Sequence, residues 1–247
     1  MKKNTLKLSI IIPVYNEEQT VAELIAKVTK VKLPKGVRKE IIVVDDGSTD
    51  KSSRLIMKEG KKSQGIKVYL SEMNLGKGGA IRYGLRRATG DIILIQDADL
   101  ELDPNEYSKL IKPILQKKSS IVYGSRFKVK NKKISFKTKL SNGFLTTLTN
   151  LLYGTRLTDM ETAYKVFRSE VIEKTRLRCV EFDFEPEITA KVSQLGYKIT
   201  EVPISYNPRR VDEGKKISAR DGLDAVYVLF KNKIFPQPSN MRTTTKP

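Results

Sequence analysis

Two carboxylates follow an apolar segment in the middle of the chain. Residues 92–96 read Ile-Ile-Leu-Ile-Gln, and Asp97 and Asp99 come directly after them, separated by Ala98. Such a run is typical of a buried parallel strand, and open α/β sheets bind ligands beyond the carboxyl ends of these strands. If the chain stays extended, both carboxylates point the same way and repel each other unless a cation lies between them. Mg²⁺ or Mn²⁺, bound together with a diphosphate, suits that role. The alternative to a metal site is a polar strand end that precedes a helix cap at Asp103.

Polar residues also follow the first two predicted strands. Strand 8–14 leads into Tyr15 and Glu17, and strand 40–44 leads into Asp46. The carboxyl ends of neighbouring parallel strands line one crevice. We therefore expect Tyr15 to stack on a base there, and Glu17 and Asp46 to accept hydrogen bonds from the base or ribose.

Strands and helices alternate through the first half of the chain, which predicts an α/β fold with a mostly parallel, doubly wound sheet and helices on both faces. Further predicted strands are 66–70, 91–96 and 121–123, and predicted helices run from an Asn16 cap to about Val31, over 51–61 and 77–88, and from Pro104. The second half predicts helices at 185–195 and near 219–231 and a strand at 197–205. We expect residues 1–235 to form one domain and residues 236–247 to be a polar, disordered tail.

The charge balance narrows the function. Lys and Arg total 47 against 28 acidic residues, a formal charge of +19 that indicates a polyanionic partner: nucleic acid, an anionic membrane surface or phosphorylated substrates. No histidine is present, which excludes histidine-based catalysis, and the single Cys179 excludes an internal disulfide and fits a reducing compartment. Aromatic residues make up 7% with no Trp, and no nucleic-acid-binding module is recognisable, so nucleic-acid binding is disfavoured. No apolar stretch approaches the ~20 residues that span a bilayer, so we expect at most peripheral membrane association.

A lysine-rich loop at 128–139 precedes an apolar stripe at helical spacing, and we expect the segment 128–155 to face the acceptor and a membrane. The stripe consists of Leu140, Phe144, Leu145, Leu148, Leu151 and Leu152. Periodicity favours an ordinary core-facing helix. The other interpretation is an amphipathic helix lying on a membrane, with the lysines attracted to anionic lipid.

Four motifs in order carry a resemblance to a known family. They are Ile10-Ile11-Ile12-Pro13-Val14-Tyr15-Asn16-Glu17, Val43-Val44-Asp45-Asp46-Gly47-Ser48-Thr49-Asp50, Asn74-Leu75-Gly76-Lys77-Gly78 and Asp97-Ala98-Asp99. The chain resembles the family 2 glycosyltransferases, which have the GT-A fold. Three more segments make it similar to the dolichyl- or polyprenyl-phosphate sugar synthases: Gly124-Ser125-Arg126, residues 158–167 and Glu201-Val202-Pro203-Ile204.

The resemblance implies a role for each matching residue. The positions for the nucleotide-sugar are Pro13, Tyr15, Glu17, Val44, Asp46, Asp97, Ala98, Arg209 and Lys215, and the helix start at Lys77 approaches the same pocket. Asp97 and Asp99 match the metal and diphosphate site, and Glu101, where the mannose synthases usually have Gln, is a candidate third ligand. Arg126 matches the arginine offered to the acceptor phosphate. A second such arginine is replaced by Thr138, with Lys137 and Lys139 beside it.

The implied chemistry needs no histidine. A phosphate acceptor is already anionic near neutral pH, since its second pKa is about 6, and it needs only to be aimed at the anomeric carbon. Asp99, Arg126 and Asp159 are the predicted catalytic residues. An alcohol acceptor would need a base, for which Asp159 is the first candidate and Glu161 the second. The alternative is that both carboxylates simply order the loop on which they lie.

The predicted function is inverting transfer of a hexose from GDP-mannose or UDP-glucose to a polyprenyl or dolichyl phosphate. The transfer is expected at the cytoplasmic face of a membrane, with Mg²⁺ or Mn²⁺ and with a small membrane-anchoring protein as a possible partner. The alternatives are a saccharide or other alcohol acceptor in cell-surface glycan synthesis and, more distantly, non-enzymatic nucleic-acid binding.

Overall fold

A seven-stranded sheet forms the centre of the protein, whose structure is a computed structural model that describes residues 5–129, 131, 133–209 and 219–236. The strands are β1 (Leu6–Val14), β2 (Val37–Asp45), β3 (Ile66–Leu70), β4 (Ile92–Ile95), β5 (Ile121–Ser125), β6 (Lys165–Arg168) and β7 (Ile199–Pro203). Their order in the sheet is β3-β2-β1-β4-β6-β5-β7, and β6 runs antiparallel to both of its neighbours. The other pairs are parallel, so the prediction of a mostly parallel sheet is confirmed.

Helices cover both faces of this sheet. They are α1 (Val21–Lys30), α2 (Ser52–Gly60), α3 (Lys77–Arg87), α4 (Tyr107–Leu115), α5 (Phe136–Tyr153), α6 (Ser169–Lys174), α7 (Phe184–Gln194) and α8 (Ala219–Ile234), with a 3₁₀ turn at Pro104–Glu106. Alternate residues of β1 explain the two layers, because successive side chains of a strand point to opposite faces. Ile10 and Ile12 are buried in a core shared with α1 and α4, whereas Ile11 is buried in a second core shared with α3 and α7. The predicted α/β architecture is therefore confirmed.

The start of α1 differs from the prediction. The helix begins at Val21, and Asn16 does not cap it. Asn16 instead has a φ of +50°, and its side-chain Oδ1 accepts a hydrogen bond of 2.8 Å from the backbone N of Thr49. An asparagine tolerates this left-handed conformation and can bond to backbone groups of a neighbouring loop. Asn16 therefore fixes the loop after β2 against the end of β1.

Helix α5 divides its apolar residues between two faces. Leu145 is buried and Leu148 and Leu152 are partly buried, so the core-facing interpretation holds for these three. The solvent-exposed apolar residues of the helix are Phe136, Leu140, Phe144 and Leu151, with exposed fractions of 60–81%. Small polar residues fill the rest of the buried face: Asn142, Thr146 and Thr149. In the described part of the chain, none of the helices combines the length and apolar character needed to cross a membrane.

Candidate active site

The carboxyl ends of β1, β2 and β4 lie side by side, because these strands are neighbours in the sheet. Pro13 and Val44 are register partners near the ends of β1 and β2, and both are buried. Asp46 follows β2 and donates its backbone N–H to the carbonyl of Val14 at 2.8 Å. Tyr15 is half-buried just beyond β1. The structure thus brings the residues predicted to hold the nucleotide to one edge of the sheet.

Asp46 links this edge to the glycine-rich segment that precedes α3. Its Oδ1 accepts a hydrogen bond of 2.7 Å from the backbone N of Leu75. Burial raises the pKa of Asp46 to about 6, although the amides of Leu75 and Gly76 act in the opposite direction. A carboxylate in this setting is stabilised by further hydrogen-bond donors, which the ribose or base of a nucleotide would supply.

The glycines at the start of α3 serve close packing. Gly76 has a φ of +78°, and a Cβ on Gly78 would lie 2.9 Å from the carbonyl carbon of Cys179. The backbone N–H of Gly78 donates to the carbonyl of Glu181 at 2.9 Å. Part of the helix N-terminus is therefore occupied by the segment 179–181, and Lys77 is the group that this helix directs toward the strand ends.

Lys77 joins two carboxylates in the crevice. Its Nζ donates hydrogen bonds of 3.0 Å to Asp97 Oδ2 and 3.0 Å to Glu185 Oε1. Burial acts to lower the pKa of Lys77, but Asp97 and Glu185 raise it overall. Nζ also lies 3.0 Å from Asp97 Oδ1, yet this oxygen is buried and accepts no hydrogen bond from the described residues. Asp97 therefore keeps one oxygen for a further ligand.

The segment after β4 is not extended, contrary to the expectation for Asp97 and Asp99. Ala98 and Asp99 lie in a turn, and Leu100 has a φ of +62°. The two carboxylates are still close enough to repel each other. Burial raises the pKa of Asp99, and Asp97 and Glu101 add to the shift. The arrangement favours a bound cation, as the sequence predicts, but a turn rather than strand alternation produces it.

Arg209 supplies a cation to this turn. Its guanidinium donates two hydrogen bonds to the carboxylate of Glu17, at 2.9 and 3.0 Å, and its Nη2 lies 3.2 Å from Asp99 Oδ2. The structure thus brings Glu17, Asp99 and Arg209 together, three residues that lie far apart in the sequence. Lys215, the predicted partner of Arg209, lies outside the described residues.

Glu101 uses both carboxylate oxygens to hold the segment after β7. Its Oε2 accepts a hydrogen bond of 3.0 Å from the Tyr206 hydroxyl, and its Oε1 accepts one of 2.8 Å from the backbone N of Arg209. Among the described residues, no three Asp, Glu, Cys or His side chains lie close enough together to hold a metal ion. The carboxylate of Glu101 thus positions the loop at 206–209, and a role for Glu101 as a third metal ligand stays a prediction.

Two carboxylates are nevertheless enough for the predicted cation. Mg²⁺ is usually held by one or two carboxylates together with phosphate oxygens of the substrate. Asp97 offers a buried oxygen without a hydrogen-bond donor, and Asp99 is destabilised by its acidic neighbours. These two residues fit a divalent cation that also binds a diphosphate.

Arg126 and Asp159 form a buried ion pair. Asp159 is fully buried and accepts hydrogen bonds from Arg126 Nε at 2.8 Å, Nη2 at 2.7 Å and backbone N at 2.9 Å. The Arg126 guanidinium also lies over the ring of Tyr206, 5.2 Å from its centroid. Both oxygens of Asp159 are engaged, which argues against a general base at this position and in favour of a residue that fixes Arg126. The Nη1 group takes no part in the pair.

The lysines predicted to bind the acceptor phosphate lie at the start of α5. Lys137 and Lys139 are both exposed to solvent. The preceding loop packs on the segment after β7: Lys133 Nζ donates to Asn207 Oδ1 at 2.8 Å, and Asn131 Nδ2 donates to the Tyr206 carbonyl at 2.6 Å. A cleft of about 420 Å³ lies there, lined by residues that include Glu101, Lys133 and Tyr206. The lysine-rich loop therefore borders the crevice, while Lys137 and Lys139 face solvent.

Sequence analysis misses two charged residues of the crevice. Glu185, on α7, is buried and is 108 positions from its partner Lys77. Lys165, on β6, is fully buried with its Nζ 4.3 Å from the centroid of the Tyr123 ring. Nothing in the local pattern distinguishes Glu185 from an exposed helical glutamate. For Lys165, the position inside a short apolar run was the available signal.

The match to a known family decides the class of protein. Residues 9–176, which contain both aspartates, Arg126 and Asp159, match the profile of Glycosyl transferase family 2. The chain belongs to glycosyltransferase family 2. The predicted family is confirmed, and the protein is a glycosyltransferase of this family with the GT-A fold.

Curated relatives cover nearly all of the chain. An uncharacterised protein of Methanocaldococcus jannaschii is 30% identical over 94% of this chain and 94% of its own length. The dodecaprenyl-phosphate galacturonate synthase of Rhizobium johnstonii is 28% identical over 96% of this chain and 70% of its own length. The undecaprenyl-phosphate 4-deoxy-4-formamido-L-arabinose transferase of Salmonella paratyphi B is 30% identical, and the match covers 85% of this chain and 62% of the Salmonella protein.

Solved structures of similar fold bind a metal and a nucleotide. Glucosyl-3-phosphoglycerate synthase of Mycobacterium tuberculosis, in complex with Mn²⁺, UDP and glucosyl-3-phosphoglycerate, superposes with a TM-score of 0.68 at 21% identity, covering 93% of this chain and 80% of that one. The same enzyme with Mg²⁺ and UDP gives a TM-score of 0.67 at 20% identity, covering 93% and 80%. At this identity the likeness establishes the fold.

Proposed function

We propose that the protein transfers a hexose, with inversion, from a nucleotide-diphosphate sugar to a polyprenyl or dolichyl phosphate. GDP-mannose and UDP-glucose are the candidate donors. The named functions of the Rhizobium and Salmonella relatives support a polyprenyl-phosphate acceptor. We further propose that residues 1–235 act as one catalytic domain at the cytoplasmic face of a membrane.

The pairing of Arg126 with Asp159 is the observation that supports a phosphate acceptor. Three hydrogen bonds hold Arg126 in place, and the carboxylate best placed by sequence to act as a base has no free oxygen. An alcohol needs a base to become a nucleophile, whereas a phosphate monoester is already anionic near neutral pH. A guanidinium that is fixed by Asp159, with both oxygens of that carboxylate engaged, suits a phosphate acceptor.

The donor is proposed to lie across the carboxyl ends of β1, β2 and β4. Pro13, Tyr15, Glu17, Val44 and Asp46 would hold the nucleoside, and Asp97 with Asp99 would hold Mg²⁺ or Mn²⁺. When bound, the metal neutralises charge on the leaving diphosphate. Lys77 orients Asp97 through its hydrogen bond of 3.0 Å. Arg209 would move from Glu17 and Asp99 toward the diphosphate. Arg126, assisted by Lys137 and Lys139, would aim the acceptor phosphate at the anomeric carbon.

Two helices supply a surface for the lipid. α5 and α8 pack together, with the Tyr153 hydroxyl donating to the Leu229 carbonyl at 2.6 Å. Each helix exposes apolar residues at helical spacing: Phe136, Leu140, Phe144 and Leu151 on α5, and Leu223, Tyr227, Phe230 and Ile234 on α8. Exposed lysines flank them, at positions 137, 139, 231 and 233. Apolar area combined with positive charge favours an anionic membrane surface, either directly or with a small membrane-anchoring partner protein.

A transfer assay tests the proposed function. Radiolabelled UDP-glucose and GDP-mannose are incubated separately with the protein, with Mn²⁺ or Mg²⁺, and with or without polyprenyl phosphate. We expect label in the organic phase with one of the donors, and only when lipid and metal are both present. Slow hydrolysis of both donors without a lipid product would contradict the acceptor assignment.

Flotation with liposomes tests the membrane surface separately. The wild-type protein should float with liposomes that contain anionic lipid, because apolar burial and lysine attraction act together. The double substitution Leu140→Ser/Phe144→Ser should reduce the bound fraction, and Thr147→Ser, at an exposed position of the same helix, is the control. Equal flotation of the three proteins, or none, would contradict a role for α5.

A second candidate function is transfer to an alcohol on a saccharide or other acceptor. The raised pKa of Glu161 favours this alternative. Burial raises the pKa of this carboxylate, and a general base needs a raised pKa to accept a proton near neutral pH. Under that alternative, polyprenyl phosphate would be inert in the assay and label would enter a water-soluble product.

A further inference from the structure

Glu161 is a half-buried carboxylate that forms no ion pair with the described residues. Its Oε1 is inaccessible to solvent and accepts no hydrogen bond from the described residues. Burial raises the pKa of Glu161, and Glu185 adds to the shift. A solvent-inaccessible carboxylate oxygen without a donor is costly, so Oε1 indicates a ligand that supplies the missing donor.

The cations near Glu161 are engaged with other groups. Lys77 bonds to Asp97 and Glu185, and Arg126 bonds to Asp159. Lys165 donates its Nζ to the backbone carbonyls of Met160 at 2.8 Å and Thr162 at 2.5 Å, which holds the residues on either side of Glu161. The local backbone is thus fixed while the Glu161 carboxylate remains without a hydrogen-bond donor on Oε1.

The charges of this cluster do not balance. The cations are Lys77, Arg126 and Lys165, and the carboxylates are Asp97, Asp159, Glu161 and Glu185. Three of these carboxylates are in hydrogen-bonded pairs or are directly coupled to Lys77, so Glu161 is the surplus acid. A neutral donor group would satisfy it, and a further anion would be repelled.

Glu161 lies two positions after Asp159, which holds Arg126 at the end proposed for the acceptor phosphate. It interacts electrostatically with Glu185, which shares Lys77 with Asp97 at the diphosphate end. It also interacts, less strongly, with Arg126, at the end proposed for the acceptor phosphate. A sugar that is transferred from the diphosphate to the acceptor must occupy the space between these ends, and its hydroxyl groups are hydrogen-bond donors.

We propose that Glu161 accepts hydrogen bonds from hydroxyl groups of the donor sugar and selects an uncharged hexose against a uronate. This inference rests on the proposed function, since it assumes a nucleotide-sugar donor in the crevice. A uronate would bring a second carboxylate to a pocket that already contains one without a cation. On this point we expect the chain to differ from the Rhizobium relative, whose name specifies galacturonate.

The test compares the sugar-bearing and sugar-free forms of the nucleotide in the absence of acceptor. Dissociation constants are measured by calorimetry with Mn²⁺ for UDP, UDP-glucose, GDP and GDP-mannose. Glu161→Gln should weaken binding of the nucleotide-sugar about tenfold, the order expected for a hydrogen bond to a charged group, and leave the nucleoside diphosphate unchanged. Glu170→Gln, which makes the same change at an exposed position of α6, should alter neither.

A uronate donor provides the second readout. The wild-type protein should bind the matching uronate, such as UDP-glucuronate, more weakly than the neutral sugar nucleotide, and Glu161→Gln should narrow that difference. A merely structural role for Glu161 would not produce this change in selectivity. The thermal midpoint of Glu161→Gln should be no lower than that of the wild type at pH 8, because an unpaired buried charge is removed.

The outcomes separate the two proposals. If Glu161→Gln leaves both the neutral and the uronate affinities unchanged while nucleoside diphosphate still binds, the inference fails and the proposed function stands. A loss of kcat that requires the acceptor, with donor affinities intact, would also overturn it and would assign Glu161 as a base. If the wild type binds neither UDP nor GDP, the proposed function fails and the inference falls with it.

Discussion

Two glutamates at opposite ends of the sheet have opposite surroundings. Glu40, in the amino-terminal half of β2, accepts hydrogen bonds from Ser9 Oγ at 2.6 Å, the backbone N of Thr89 at 2.7 Å and Lys67 Nζ at 3.1 Å. Burial alone would raise the pKa of Glu40, but these donors lower it to about 2. Glu161, beyond the carboxyl ends, has a buried oxygen without a donor, and its pKa is raised.

The difference separates structural from functional carboxylates. Around Glu40 the protein supplies every partner itself, so the ionised form stabilises the fold. In the crevice, Glu161 keeps an oxygen without a donor and Asp99 is crowded by other acids, and the pKa values of both carboxylates are raised. Burial of a charged side chain is common to both ends, and the presence or absence of partners distinguishes them.

The largest effect should come from the carboxylate proposed to bind the metal. Asp99→Ala should lower transfer by about 1,000-fold or more, because neutralisation of the leaving diphosphate is lost. Its thermal midpoint should change little, since the substitution removes both the repulsion by Asp97 and Glu101 and the ion pair with Arg209. Glu23→Ala, at an exposed position of α1, is the control for losing a carboxylate. Near-normal turnover of Asp99→Ala would contradict the assignment of Asp99 as a metal ligand.

Arg126 should give the next largest effect. Arg126→Lys keeps the charge but loses the two-pronged contact with Asp159, and we expect kcat/KM for the lipid acceptor to fall about 100-fold. The affinity for the nucleotide-sugar should be unchanged, because Arg126 is placed at the acceptor end. Steady-state kinetics with varied lipid, combined with donor titrations, measure both. A loss of donor affinity would place Arg126 at the donor instead.

Glu40 should affect stability alone. Glu40→Gln should lower the free energy of unfolding by about 2 kcal/mol at pH 7, with unchanged activity per folded molecule. The folded pKa of about 2 lies below the ordinary value of 4.5, so the contribution of Glu40 is present above pH 4.5 and is lost as the pH falls toward 2. Urea unfolding of wild type and Glu40→Gln between pH 2 and 7 should therefore converge at the acid end. A gap that stays constant with pH would contradict this origin.

Local sequence patterns predict the elements and the edge at which the site lies. The apolar run before Asp97 and the repeated strand–helix units indicate a mostly parallel sheet, which the structure confirms. They also predict a site at the carboxyl ends of its strands, where the candidate residues lie together. β6 is not among the predicted strands because its four residues include Lys165 and Arg168, which mask the apolar pattern. Its antiparallel direction depends on pairing with β4 and β5, which no local pattern encodes.

The partners within the site could not be predicted in the same way. Lys77 meets Glu185 across 108 positions, and Arg209 meets Glu17 across 192. Arg126 and Asp159 are both recognisable as candidates, but the sequence does not reveal that they neutralise each other. Such pairings depend on how helices and loops cross the sheet, so they follow from the tertiary structure and from no motif.

The central claim is that the nucleophile is a phosphate which the protein aims and does not deprotonate. Polyprenyl phosphate and the corresponding polyprenol, compared as acceptors under identical donor and metal conditions, test it directly. We predict a lipid-linked sugar from the phosphate and none from the alcohol. Transfer to the polyprenol at a similar rate would contradict the account, because it would require a base that the Arg126–Asp159 pair does not provide.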